Sequence, residues 1–580
     1  MSGARGEATA DATAGAEDPR GDLRWRSIPG LVADAAARFG DAEAVVEGDR
    51  RLSFAQLEEQ ALRVTGAAMA SGLHPGDRVA LWAPNMAHWV VAALGLSGAG
   101  VVLVPLNTRF KGPEAAYVLR RSGARALFAV RGFLGLDYPG MLQGEDVPDL
   151  ERIVLLRDDG GPASVLSSTD EIPVFGWEEF LASTEGVCEG TDGVVGRPMD
   201  DAAERARWAE VGAEDLSDII FTSGTTGRPK GAMTTHAQTL RTFATWASIV
   251  GLAEGDRYLV VNPFFHTFGY KAGIMACLMQ GATIVPEPVF DVDVVLDTVA
   301  REHITVLPGP PTLYQSLLEH PRRAEHDLSS LRLAVTGAAV VPVELVRRMA
   351  DELGFDTVLT AYGLTESTGT VTMCRRGDAP ETIAATSGRA IPGLEVRVVD
   401  DAGAEVARGE PGEIVVRGYT VVQGYWQDLE ATAEAIDTGG WLHTGDIGVM
   451  DDAGNVRITD RKKDMFIVGG FNAYPAEIEG ALLGHPAVAQ AAVVGIPDER
   501  MGEVGCAFVV LRSGAGTDPA ALPEQLVAWA RQRMANYKVP RRVEVVEALP
   551  LNASGKVLKT ELRARLADGG GGPGDARKGS

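Results

Sequence analysis

Cysteine is scarce. Four residues, Cys188, Cys277, Cys374 and Cys506, lie far apart in 580 positions. None forms a C-x-x-C pair, so no zinc or dithiol motif is visible, and a reducing, cytoplasmic setting is expected. Positive charge is also short: 54 Lys and Arg against 79 Asp and Glu leave a net charge of −25. Nucleic-acid binding needs clustered Lys and Arg, so no nucleic-acid partner is expected. Long apolar runs are nearly missing. The stretch 89–106 carries no charge, but Gly95, Ser97, Gly98 and Gly100 interrupt it and Pro105 ends it. It reads as a buried helix followed by a buried strand, Val101–Val104, rather than a membrane span. Residues 1–23 lack the apolar core of a signal peptide and read as a disordered tail, as do residues 568–580. No repeat of solenoid period is present.

What is there is an ordinary globular composition, 45% hydrophobic and 23% charged, on a chain too long for one core. Strand and helix signals alternate from Val79 to Val130 and again from Tyr258 to Thr360. That alternation predicts an α/β fold of parallel sheets with helices on their faces. Residues 157–210 break it and read as a polar surface excursion. From about Pro392 shorter strands predict a small β subdomain, and after Asp460 a compact α+β stretch follows. The expected organisation is a large domain over 24–460 and a small mobile domain over 461–567. Ser53-Phe-Ala-Gln56 is a capping box.

The densest signal is Asp218-Ile-Ile-Phe-Thr-Ser-Gly-Thr-Thr-Gly-Arg-Pro-Lys-Gly-Ala232. An apolar strand leads into Thr222, Ser223, Gly224, Thr225, Thr226 and Gly227, with Lys230 close behind. Glycines let the backbone approach a ligand, successive N–H groups form an anion-binding concavity, and hydroxyls and an ammonium add donors. The stretch reads as a polyphosphate cradle. It is not a Walker A loop, because Pro229 precedes Lys230 and Gly231 follows it. The plain alternative is a Gly/Thr-rich hairpin turn.

This stretch resembles the phosphate loop of the adenylate-forming superfamily, which includes acyl-CoA synthetases, adenylation domains and luciferases. Five further segments match that superfamily in order, and the resemblance covers about 24–565. It implies an enzyme that uses ATP, Mg²⁺ and coenzyme A. Thr336-Gly337-Ala338-Ala339 resembles the segment bordering adenine and acyl group. In Tyr362-Gly363-Leu364-Thr365-Glu366, the resemblance implies that Tyr362 stacks on adenine, Thr365 touches the α-phosphate and Glu366 helps hold Mg²⁺. Asp446 would accept from the ribose hydroxyls, and Arg461 would reach ribose or phosphate. Lys463 matches the hinge, Gly469 and Gly470 the pantetheine tunnel, and Lys556 the lysine that contacts the acyl carboxylate and α-phosphate during adenylation. Thr222, His266, Glu366 and Lys556 are the catalytic candidates.

The run Asn262–Gly269 resembles the family's gate, with Phe265, His266 and Gly269 beside the acyl pocket. No Asp or Glu occurs from Tyr258 to Lys271, which argues against an amino-acid substrate. The runs 262–274 and 307–318 are similar to actinobacterial CoA ligases that activate a steroid-derived indanedione propanoate. Tyr270 or Lys271 is then a candidate donor to a ring ketone, and a Lys stem snorkelling to water is the alternative. A medium- or long-chain fatty acid is a second substrate class. No carrier domain follows 568, so the acceptor is free coenzyme A or, in the alternative of an acyl-AMP ligase, a separate carrier protein.

Overall fold

The computed structural model describes residues 18–159, 172–182, 201–222, 229–337, 341–461, 464–468, 471–498, 500–512, 521–534, 536–551 and 557–568. Order begins earlier than the composition suggests. Gly21–Trp25 is helical, and Asp18 pairs with Arg241 at 2.6 Å.

A seven-stranded sheet runs in the order Val174–Gly176, Arg152–Asp158, Ala124–Arg131, Arg78–Trp82, Val102–Pro105, Leu216–Thr222, Lys230–Thr235. All its pairs are parallel except the last. Helix Ala87–Gly98 is buried along almost its whole length, as is the strand after it. Among the described residues no helix is long and apolar enough to cross a membrane. The Ser53 box is made: Gln56 N–H donates to Ser53 Oγ at 3.2 Å, and Ser53 N–H donates to Gln56 Oε1 at 2.9 Å.

The expected excursion at 157–210 is corrected in part. Strands Arg152–Asp158 and Val174–Gly176 extend the sheet, and helices Trp177–Ala182 and Asp201–Glu210 bury Trp177, Phe180 and Trp208. Their large apolar residues are too widely spaced among polar ones to show a period. Helix His236–Val250 is also absent from the sequence reading, although Thr235 and Gln238 cap it reciprocally.

Two four-stranded sheets follow. One contains Arg257–Val260, Thr283–Pro286, Glu43–Glu47 and Arg50–Ser53; the other contains Leu333–Gly337, Thr357–Tyr362, Thr372–Met373 and Arg389–Ala390. Between these two sheets Val306 alone bridges Tyr258 on one side and Leu333 on the other. Prolines at 308, 310 and 311 supply no N–H to prolong the pairing. The predicted small β unit is an antiparallel sheet of Leu394–Val399, Gly412–Gly418, Leu442–Met450 and Val456–Arg461. Residues 466–568 build their own sheet, with a core around Ile478, Leu482, Val493, Val509 and Leu526.

Glu287, just past strand Thr283–Pro286, is perturbed. Burial pushes its carboxyl up to about 7; a hydrogen bond from the Val289 backbone and Arg301 oppose this, while Asp291 and Glu47 add to it. A carboxyl raised on folding contributes most below its unfolded value and loses that contribution as pH rises through the folded one. Glu287→Gln is therefore expected to leave thermal stability unchanged near pH 4.5. At pH 8 it should add about 1–2 kcal/mol after discounting for solvent screening. Melting scans at the two pH values check this.

Candidate active site

The hydroxyl-rich loop lies in a β-hairpin: Thr222 closes one antiparallel strand and Lys230 opens the next, as Cα partners. Antiparallel flanking strands are what the plain alternative, a hairpin turn, also expects. Residues 223–228, with Ser223, Gly224, Thr225, Thr226 and Gly227, lie outside the described residues. So do Ala338, Ala339, Lys463, Gly469, Gly470, Lys556 and the side chain of Arg461.

The described site residues converge from distant segments. Glu366 Oε1 accepts from Thr222 Oγ1 at 3.3 Å and from the Tyr425 hydroxyl at 2.9 Å. Burial and the Glu366 carboxylate push the Tyr425 phenol far above its usual range, so it stays a donor. Lys230 Nζ stands 5.3 Å from the Tyr425 ring centroid and 4.0 Å from the Glu434 carboxylate. Tyr425 thus touches Glu366 and the Lys230 arm of the hairpin. Sequence reasoning missed it, because backbone pairing of 423–426 with Lys230–Thr235 places it there, and no local pattern reports such pairing.

Glu366 sits on a one-turn 3-10 helix, Thr365–Ser367, directly after strand Thr357–Tyr362. Gly363 is required before it: a Cβ there would lie 2.2 Å from the Gly369 carbonyl oxygen. The Tyr362 hydroxyl donates to Asp446 Oδ2 at 2.6 Å, joining two motifs 84 positions apart. Gly337 ends strand Leu333–Gly337, in register with Ala361 beside Tyr362.

The gate segment is held by Asn85, another residue the sequence reading did not single out. Its amide donates to the Val260 and Asn262 carbonyls, each at 2.9 Å, and its oxygen accepts from Phe264 N–H at 2.7 Å. Phe265 and His266 are half-buried. His266 Nδ1 accepts from Phe268 N–H at 3.3 Å, which places the proton of the neutral ring on Nε2. A Cβ on Gly269 would lie 2.1 Å from the Pro263 carbonyl oxygen, so only glycine lets the chain fold back there. The chain then runs π-helical over Phe268–Met275 and α-helical over Ala276–Gln280.

Lys271 does not snorkel. It is wholly buried, with Nζ 3.0 Å from Asp218 Oδ1. Burial lowers its pKa and Asp218 opposes the shift. Its neighbour Tyr270 is equally buried. The ammonium expected at a ring ketone therefore has a carboxylate partner within the chain.

The described site is thus a half-buried carboxylate, Glu366, held by two hydroxyls, together with a tyrosine–aspartate pair and an aromatic segment gripped by Asn85. The chain belongs to the AMP-binding enzyme family, which matches residues 32–426; the AMP-binding enzyme C-terminal domain matches 477–556. It is an enzyme of the acyl-CoA synthetase class.

Its relatives include the 7a-methyl-1,5-dioxo-octahydro-inden-4-yl propanoyl:CoA ligase of Rhodococcus jostii (strain RHA1), 50% identical over 93% of this chain and 98% of that protein. The ligase of the same name from Mycobacterium tuberculosis (strain ATCC 25618 / H37Rv) is 48% identical over 93% and 98%. Among solved structures, the anthranilate CoA ligase AuaEII in complex with anthranoyl-AMP superposes with a TM-score of 0.80, at 29% identity over 94% of this chain and 98% of that one.

Proposed function

We propose that the protein activates a bicyclic keto acid, an octahydroindenedione propanoate, and transfers it to free coenzyme A in the cytoplasm. The observation that carries this reading is the near-full-length identity of 50% and 48% to two ligases named for that acid. A carboxylate oxygen of the acid attacks the α-phosphorus of ATP, forming acyl-AMP and expelling pyrophosphate. The coenzyme A sulfur then attacks the acyl carbonyl, and AMP leaves with the bonding pair. Such chemistry needs positioning and charge neutralisation more than covalent help.

The chain's residues take the following parts. The hairpin loop and Lys230 grip the polyphosphate. Tyr362 lies against adenine, with its hydroxyl on Asp446, and Asp446 accepts from the ribose with Arg461 nearby. Thr365 contacts the α-phosphate. Glu366, held by Tyr425 and Thr222, offers the hard oxygen donor that suits Mg²⁺. When bound, that ion would neutralise phosphate charge. Phe265, His266, Gly269 and Gly337 border the acid, with Tyr270 and Lys271 behind them. Lys556 serves adenylation, and Gly469-Gly470 lines the thiol's path after the small domain turns at Lys463.

The test is CoA-thioester formation with the bicyclic keto acid, octanoate and benzoate compared at equal concentrations. The keto acid is expected to give the highest kcat/KM by at least tenfold. Preference for octanoate would move the substrate to fatty acids. Acyl-AMP accumulating beside free coenzyme A would move the acceptor to a carrier protein.

A further inference from the structure

The Asp218–Lys271 pair is the most deeply buried ion pair among the described residues, both side chains having no exposure. Its geometry is that of a charge contact rather than an aligned hydrogen bond. The other carboxylate oxygen, Asp218 Oδ2, lies 2.7 Å from Ser217 Oγ, which is itself 3.1 Å from the Thr234 carbonyl of the neighbouring strand. Desolvating two charges is costly, and an apolar pair of similar volume commonly serves stability as well or better. What such a pair supplies is a fixed relation between the two elements that carry it.

Those elements are the two arms of the site. Asp218 stands four residues before Thr222, on the strand that opens the phosphate hairpin and meets Glu366 through Thr222. Lys271 stands five residues after His266, inside the π-helix that follows the gate. There Ala276 N–H reaches back five residues to the Lys271 carbonyl. Such helical insertions are rare and recur at functional sites. The start of that helix is pinned, since Gly269 lies against Pro263 and the Asn85 amide grips the same turn. The gate segment and the strand that ends at Thr222 are therefore joined through the Lys271–Asp218 contact.

We propose that Lys271 and Asp218 are a positioning pair that couples the acid pocket to the phosphate hairpin, so that bound acid and bound ATP each tighten the other. The acid pocket in this statement rests on the function proposed above.

The test uses the full-length protein and α,β-methylene ATP, a probe that cannot transfer its adenylyl group to the acid. Wild-type affinity for the probe is expected to rise at least about fivefold when the keto acid is present, the lower end of usual coupling between sites. Lys271→Met alone leaves a buried carboxylate unpaired and is expected to fold poorly, so the informative variant is K271M/D218N, which removes both charges and keeps the volumes close. It should melt within a few degrees of wild type, yet show less than twofold coupling. Full coupling in K271M/D218N, or no coupling in the wild type with both ligands bound, overturns the proposal. Loss of coupling together with a collapsed melting transition also overturns it, since the pair would then be structural only. Wild-type protein that binds the probe but not the keto acid sinks the substrate reading alone. The pair is then judged with whichever acid of the panel does form a thioester: coupling of at least about fivefold in the wild type that falls below twofold in K271M/D218N carries the proposal, and unchanged coupling overturns it.

Discussion

Lys556→Ala is expected to lower acid-dependent ATP–pyrophosphate exchange by roughly 10²–10³, the usual cost of removing one group aimed at transition-state charge. Thioester formation from supplied acyl-adenylate should change by no more than a few-fold. A lysine ammonium is a compact point charge on a flexible stem, which suits a phosphorus passing through five-coordination. Lys556 belongs to the same C-terminal stretch as Gly469 and Gly470, and one small domain does not readily present both to one reaction centre at once. The proposed swivel at Lys463 lets each serve its own half-reaction. Equal losses in both half-reactions would refute that division, and Lys463→Pro should slow the second half-reaction more than the first.

Glu366→Gln is the second large effect. The amide oxygen still accepts from Tyr425 and Thr222, so the substitution removes charge while keeping the acceptor of both hydrogen bonds. Pyrophosphate exchange is expected to fall about 10²–10³ at low Mg²⁺ and to recover partly as Mg²⁺ is raised, with the melting midpoint nearly unmoved. Glu366→Ala should show the same loss plus lower thermal stability, because the half-buried phenol of Tyr425 loses its acceptor. A wild-type Mg²⁺ dependence in Glu366→Gln would remove this residue from the metal site. Isothermal titration of Mg·ATP into the apoprotein supplies a readout independent of turnover.

Much of this architecture was legible because its signals are local. Ser53 and Gln56 announce a helix start within four residues, and the apolar run 219–221 announces a buried strand without any partner being known. The alternation that predicts parallel sheets survives errors of a residue or two at each end. What stayed hidden depends on partners far along the chain. Tyr425 meets Glu366 because residues 423–426 pair with Lys230–Thr235 across nearly two hundred positions. Asn85 grips a turn 177 residues away. Lys271 invited a ligand-facing reading because it sits beside the gate, and only the fold sets Asp218 opposite it. The strands at 152–158 and 174–176 lie within or beside a stretch whose polar composition masks them.

The strand Lys230–Thr235 closes one border of the seven-stranded sheet, and its open side is met by residues 423–426, where Trp426 N–H donates to the Gly231 carbonyl at 2.7 Å and Gln423 N–H to the Met233 carbonyl at 3.0 Å. A chain cut before residue 423 would lack these partners and leave N–H and C=O groups of that border open to a neighbouring polypeptide. A stop codon before that residue would leave a sticky product in need of a chaperone. Translation past that point removes the hazard and assembles Tyr425 onto Glu366 in the same event.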